Sequence, residues 1–133
     1  MTIKQGFVRI GRIVSGFIIT LLLVTIALYL GKGYLDLRYV SSHVGSSMNW
    51  NAAHEVFEES FSEGMPRAQV HAKLLEFDTS LQDQLPSDLE CLTLGGEPRC
   101  IEQILVFRRV GYRFNYDFYY TPDQEFVKLS ISS

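Results

Sequence analysis

The sequence predicts an α+β protein: one N-terminal transmembrane helix, then a small domain of two helices and a three-stranded antiparallel sheet. Three observations carry this. Ile13 to Leu30 holds no charged side chain. Residues 49–77 repeat their apolar positions every three to four residues, and from Tyr112 onward the period drops to two.

Twelve of the residues from Ile13 to Leu30 are Leu, Ile, Val or Phe, and Ser15, Thr20, Thr25 and Tyr29 are the polar ones. A helix over 13–31 extends about 28 Å, close to the ~30 Å hydrocarbon core of a bilayer. Lys4, Arg9 and Arg12 precede it with no acid, which predicts a cytoplasmic segment over 1–12 and an exported domain. The run is too long for the apolar region of a cleaved signal peptide, and the small-x-small candidate Gly31-Lys32-Gly33 has lysine at its centre. A retained signal anchor is expected, with no cysteine near its end to carry a lipid. The absence of charge within the span argues against transport or proton conduction.

Residues 32–47 read as a stalk and linker. The helix can continue from Tyr34 to Val40, though Gly31 and Gly33 weaken it, and Ser41-Ser42-His43-Val44-Gly45-Ser46-Ser47 has the composition of a flexible connection. The folded domain is expected over 48–133. Removing the three basic residues of the first twelve positions leaves nine Lys and Arg against fifteen Asp and Glu, a net charge of −6. That balance argues against nucleic acid and against close electrostatic docking on anionic lipid.

Trp50, Ala53, Val56, Phe57 and Phe61 mark one face of a first helix that Gly64 ends. Pro66 starts a second, with Val70, Leu74 and Phe77 on its buried edge. Residues 78–90 are polar and contain Pro86, so they form a surface excursion pinned by Leu81 and Leu85. Cys91 and Cys100 lie beyond the span, where an exported domain can oxidise them, and closing so short a loop contributes about 2.5 kcal/mol. Leu92 and Leu94 can add a short strand before Gly95-Gly96. Ile101 to Phe107 then pairs with Tyr112 onward through a loop bearing Arg108, Arg109 and Gly111. A turn at Thr121-Pro122-Asp123-Gln124 opposes Phe118 to Val127, Tyr116 to Leu129, Phe114 to Ile131 and Asp117 to Lys128.

The junction Phe61-x-x-Gly64-Met65-Pro66-Arg67-Ala68-Gln69-Val70 and the final Phe118 to Ile131 hairpin resemble the SmpA/OmlA, or BamE-like, domain over about residues 55–131. The chain departs from that family in having Glu76-Phe77-Asp78 where Gly-x-Pro is usual, and in lacking a lipidation cysteine. The resemblance implies a scaffold for protein contacts, akin also to β-lactamase inhibitor proteins, without transferring a role in outer-membrane assembly.

No catalytic constellation is visible, and neither an enzyme activity, a cofactor nor a small-molecule substrate is expected. His54-Glu55-Val56-Phe57-Glu58 matches the first half of a zinc-protease helix but lacks the second histidine, and reads as a solvated helix face. His43, His54 and His71 stand at no recognised metal spacing from the cysteines. The candidate partner-binding residues are Arg108, Arg109 and Arg113, the densest basic group of an acidic domain, and Tyr119 and Phe126, expected beside Ile104 and Val106 on the exposed sheet face. The sequence thus predicts a single-pass bacterial inner-membrane protein whose periplasmic domain binds a protein partner as an accessory or assembly factor of an envelope complex. An inhibitory or immunity module and a small anchored enzyme using Glu and His are the alternatives.

Overall fold

The computed structural model describes Ile3 to Ser132. Met1 and Thr2, at the start of the expected cytoplasmic segment, and Ser133 lie outside the described residues. The chain divides into two compact units, the first running to Leu35 and the second beginning at Asp36.

The first unit is the greater part of helix α1 (Ile3–Val44). Among the described residues α1 is the one helix long and apolar enough to cross a membrane. Its Leu, Ile, Val and Phe side chains from Phe7 to Leu30 are all exposed, on every side of the rod. A helix that is apolar all round belongs in a core or a bilayer. Thr20 and Thr25 donate to the carbonyls of Gly16 and Leu21, so their hydroxyls need no other partner.

The second unit opens with the last turns of α1, and here the structure corrects the expected 32–47 stalk and linker. The helix runs unbroken through Val44, and the domain begins at Asp36 rather than Met48. Burial is the reason. Val40 is fully buried, Val44 nearly so, and Tyr39 packs against the same core. That gain exceeds the ~1 kcal/mol a helical glycine costs. Ser41 and Ser42 bond back to the carbonyls of Leu37 and Tyr39 instead of loosening the chain. Gly45, at φ +81°, then caps the helix, its N–H and that of Ser46 donating to the Ser41 carbonyl.

Helix α2 (Trp50–Glu59) starts at Asn49, whose side chain accepts from the N–H groups of Asn51 and Ala52. Helix α3 (Arg67–Phe77) follows Pro66. The excursion after it holds one short 3-10 turn (Thr79–Asp83) with Leu81 buried beneath it, as the apolar spacing predicts. The sheet has four antiparallel strands rather than three, in sequential order: β1 (Cys91–Leu94), β2 (Glu97–Leu105), β3 (Asn115–Tyr120) and β4 (Phe126–Ile131). The extra strand is the Leu92 to Leu94 segment, held where Cys91 stands directly opposite Cys100 and is bonded to it.

Cys100, Glu102 and Ile104 of β2, Val106 just beyond it, and Tyr116, Phe118 and Tyr120 of β3 face the helices. Phe57 of α2 meets Phe61, Phe77, Phe114 and Tyr116 with ring centroids 4.9 to 5.7 Å apart, so the core is largely aromatic. Ile104 and Val106 are therefore core residues, not members of an exposed patch.

The final hairpin corrects the expected register. Thr121 and Glu125 close a three-residue loop, Thr121 N–H donating to the Glu125 carbonyl, with Gln124 at φ +62°. Tyr120 then opposes Phe126, and a bulge shifts the ladder so that Tyr119 opposes Lys128 and Phe118 opposes Leu129. The longer loop brings Phe126 inward, where it is 4% exposed, and turns Val127 out. Phe126 also exchanges hydrogen bonds with the helix junction: its N–H donates to the Met65 carbonyl and its carbonyl accepts from Gly64. The two motifs behind the family resemblance thus touch.

Val40→Ala should lower the unfolding free energy of the full chain in detergent by about 2 kcal/mol. A denaturant titration reads it, and a Val40 lying in a free linker would give no change.

Candidate functional site

Three arrangements of polar and exposed side chains stand out. The first is built by the segment between β2 and β3. Phe107, buried and in the left-handed region at φ 54°, turns the chain, and its N–H donates to the Asp78 carboxylate at 3.0 Å. Such a conformation is uncommon for a bulky residue and costs of order 1–3 kcal/mol. Asp78, which also accepts from the backbone and hydroxyl of Ser80, helps to hold it. A 3-10 segment (Arg108–Phe114), kinked at Gly111, follows. Val110 and Phe114 plug into the core, which leaves Arg108, Arg109, Tyr112 and Arg113 facing outward.

The three predicted arginines are all exposed on this one segment. The Arg109 guanidinium lies 5.0 Å from the centre of the Tyr39 ring and that of Arg113 lies 4.4 Å from the Trp50 ring. Among the described residues none of the three forms an ion pair or a side-chain hydrogen bond, and Tyr112 between them is 82% exposed. Tyr112 was expected at the start of a strand. It sits at the tip of this turn instead, because Val110 and Phe114 take the two inward places.

The second is an open groove of about 400 Å³ on the sheet face away from the helices, lined by Pro98, Arg99, Tyr119, Pro122, Val127 and Lys128 among others. Lys128 reaches to 4.9 Å from the Tyr119 ring centre. Tyr119 lines this groove and is half-buried rather than exposed. Phe126 is not beside it, for the register reason above.

The third is a buried ion cluster centred on Glu102, which the sequence reading passed over. Arg67 Nη2 and Nε donate to Glu102 Oε2 at 2.6 and 3.0 Å, His71 Nε2 lies 2.6 Å from Oε1, and the Tyr120 hydroxyl donates to Oε1 at 3.2 Å. Arg67 also donates to the carbonyls of Pro86 and Ser87 at 2.6 and 3.1 Å, fastening the polar excursion to the sheet. Glu102 is 3% and Arg67 7% exposed. Burial pushes the Glu102 carboxyl up, but the hydrogen bonds and charges of His71 and Arg67 outweigh it and hold the group below its ordinary value. Burial and the Glu102 charge push the Tyr120 phenol up, so it remains a donor. One signal was available in the sequence: Glu102 occupies the inward phase of a strand otherwise filled by Cys100, Ile104 and Val106.

His54 is likewise not on a solvated face. It stacks on Phe114 with ring centres 4.1 Å apart and planes 7° apart, and shares a hydrogen bond with the Tyr116 hydroxyl. Desolvation by burial lowers its pKa from the ordinary value. Among the described residues His71 is hydrogen-bonded to one carboxylate, Glu102.

No family model matches the chain, and no curated protein or solved structure matches it.

Breaking one side of the ion cluster should cost more than replacing both. Glu102→Leu and Arg67→Met should each lower stability by about 3–5 kcal/mol, the double variant by less than either alone, as read from unfolding titrations. The pH dependence follows from the shifted groups. The Glu102 contribution is fully present above its ordinary pKa of 4.5 and is lost as pH falls through the lower folded value. His54, depressed from 6.5, costs stability as pH falls below 6.5, where the unfolded chain binds its proton first. Unfolding free energy should therefore decline on acidification in two stages, and His54→Gln should flatten the stage nearer neutrality while leaving the lower one.

Proposed function

We propose that this chain is a single-pass anchored protein-binding module, held by α1 in a bacterial inner membrane with its second unit in the periplasm, where it serves as an accessory or assembly factor of an envelope complex. The observation that carries the reading is the outer-face groove. Tyr119, Pro98, Pro122 and Val127 offer aromatic and apolar contact, and Arg99 and Lys128 add two cations at its walls. Aromatic and arginine side chains of this kind dominate the energetics of protein contacts. One carboxylate, Glu97, lines it as well, so the groove carries a net single positive charge on an acidic domain and suits a partner segment that is extended, partly apolar and at most weakly acidic.

Two further features support the address. The apolar length of α1 fits a bilayer span, and the Cys91–Cys100 disulfide suits an oxidising compartment.

A photoreactive residue at position 127 in native membranes should capture a discrete protein, and Tyr119→Asp should reduce that adduct at least several-fold, as expected for an aromatic interface anchor. The same probe at exposed Asn51 should capture none of it. Equal capture at both positions would remove the groove from the contact.

A further inference from the structure

We infer that the Arg108 to Arg113 turn is a second contact surface, for the phosphates of an anionic phospholipid headgroup layer; this rests on α1 being a membrane anchor. The turn inverts the charge of its surroundings. Residues 105–114 contain three arginines and no acid, on a domain that is otherwise acidic. Among the described residues these guanidinium groups have no carboxylate partner, while both ion pairs of the second unit go to Glu102. An arginine held over an aromatic ring spends none of its five N–H donors on that ring. Arg109 over Tyr39 and Arg113 over Trp50 are therefore positioned while still able to grip phosphate oxygens in pairs.

The second strand of the argument is the company they keep. Exposed Tyr112 lies among the arginines, with Tyr39 and Trp50 beneath two of them, and aromatic rings mixed with cations are the composition of a membrane–water interface. The third is tethering. Tyr39 follows Leu30 by nine residues, which even fully extended span no more than about 32 Å. Chain connectivity then holds the ring beneath Arg109 within that distance of the end of the apolar run, so the headgroups are within its reach once the run is embedded. A lipid surface is present at all times under that constraint, whereas a soluble acidic protein must be encountered. Net charge over the whole domain predicts repulsion from anionic lipid, and the clustering of the arginines reverses that locally.

Trp50 is the only tryptophan and reports directly on this turn. The full chain is reconstituted into nanodiscs of phosphatidylcholine with or without phosphatidylglycerol, each carrying headgroup spin-labelled lipid, and Trp50 quenching is measured. Quenching should be about twofold or more stronger in the anionic discs, reflecting attraction of the basic cluster. Salt and Arg108→Ser/Arg109→Ser should abolish the difference. That variant leaves Arg113 over Trp50, and Arg108→Lys/Arg109→Lys, which keeps the charge, should retain most of it. Inorganic phosphate added to zwitterionic discs should change nothing. Equal quenching in both lipids, a response to free phosphate alone, or loss of a captured protein in the serine variant with quenching intact would overturn the inference, the last assigning the turn to a protein. A chain that fails to enter the discs overturns the anchor reading instead.

Discussion

The buried bond between Arg67 and Glu102 is the constraint on which the domain is organised. Taking both charges out of water costs several kcal/mol per ion, and only a complete set of partners offsets it. That set reaches in four directions: to α3 through Arg67 and His71, to β2 through Glu102, to β3 through Tyr120, and to the excursion through the carbonyls of Pro86 and Ser87. No buried side-chain polar atom is left without a partner among the described residues. The cluster therefore specifies one arrangement of helix, sheet and loop, where apolar packing alone would tolerate small displacements.

Around it the aromatic core does the bulk of the stabilising. Phe57, Phe61, Phe114, Tyr116 and Phe118 interlock mostly edge to face, and Tyr39 of α1 joins them through Phe107. The last turns of α1 thus belong to the second unit's core. Phe107 is the pivot between core and surface: its left-handed backbone, tied to Asp78, sets the direction in which Arg108, Arg109 and Arg113 emerge.

The resulting surface separates two kinds of contact. The outer sheet face offers a groove with apolar walls and two cations, and the turn between β2 and β3 offers guanidinium groups over aromatic rings. In a domain with eight Lys and Arg against fifteen Asp and Glu, a net charge of −7, both are local reversals of sign, and such reversals orient a molecule toward what it meets.

Four features are legible along the chain: the long apolar helix, the two helices after it, the alternation of β3 and the pairing of the cysteines. Each is written in local pattern: an uncharged run, a repeat of three to four, a repeat of two, or two thiols nine positions apart. Packing between distant segments sets the remaining features. Ser41 to Val44 has linker composition yet is helical because Val40 and Val44 find the core. Phe126 points inward because a three-residue loop and a bulge move the register, and local alternation does not encode that choice. Glu102, Arg67 and His71 are ordinary residues in one dimension. They become an ion cluster because folding carries two helix positions against a strand more than thirty residues away, where low polarity makes their pairing strong and selective.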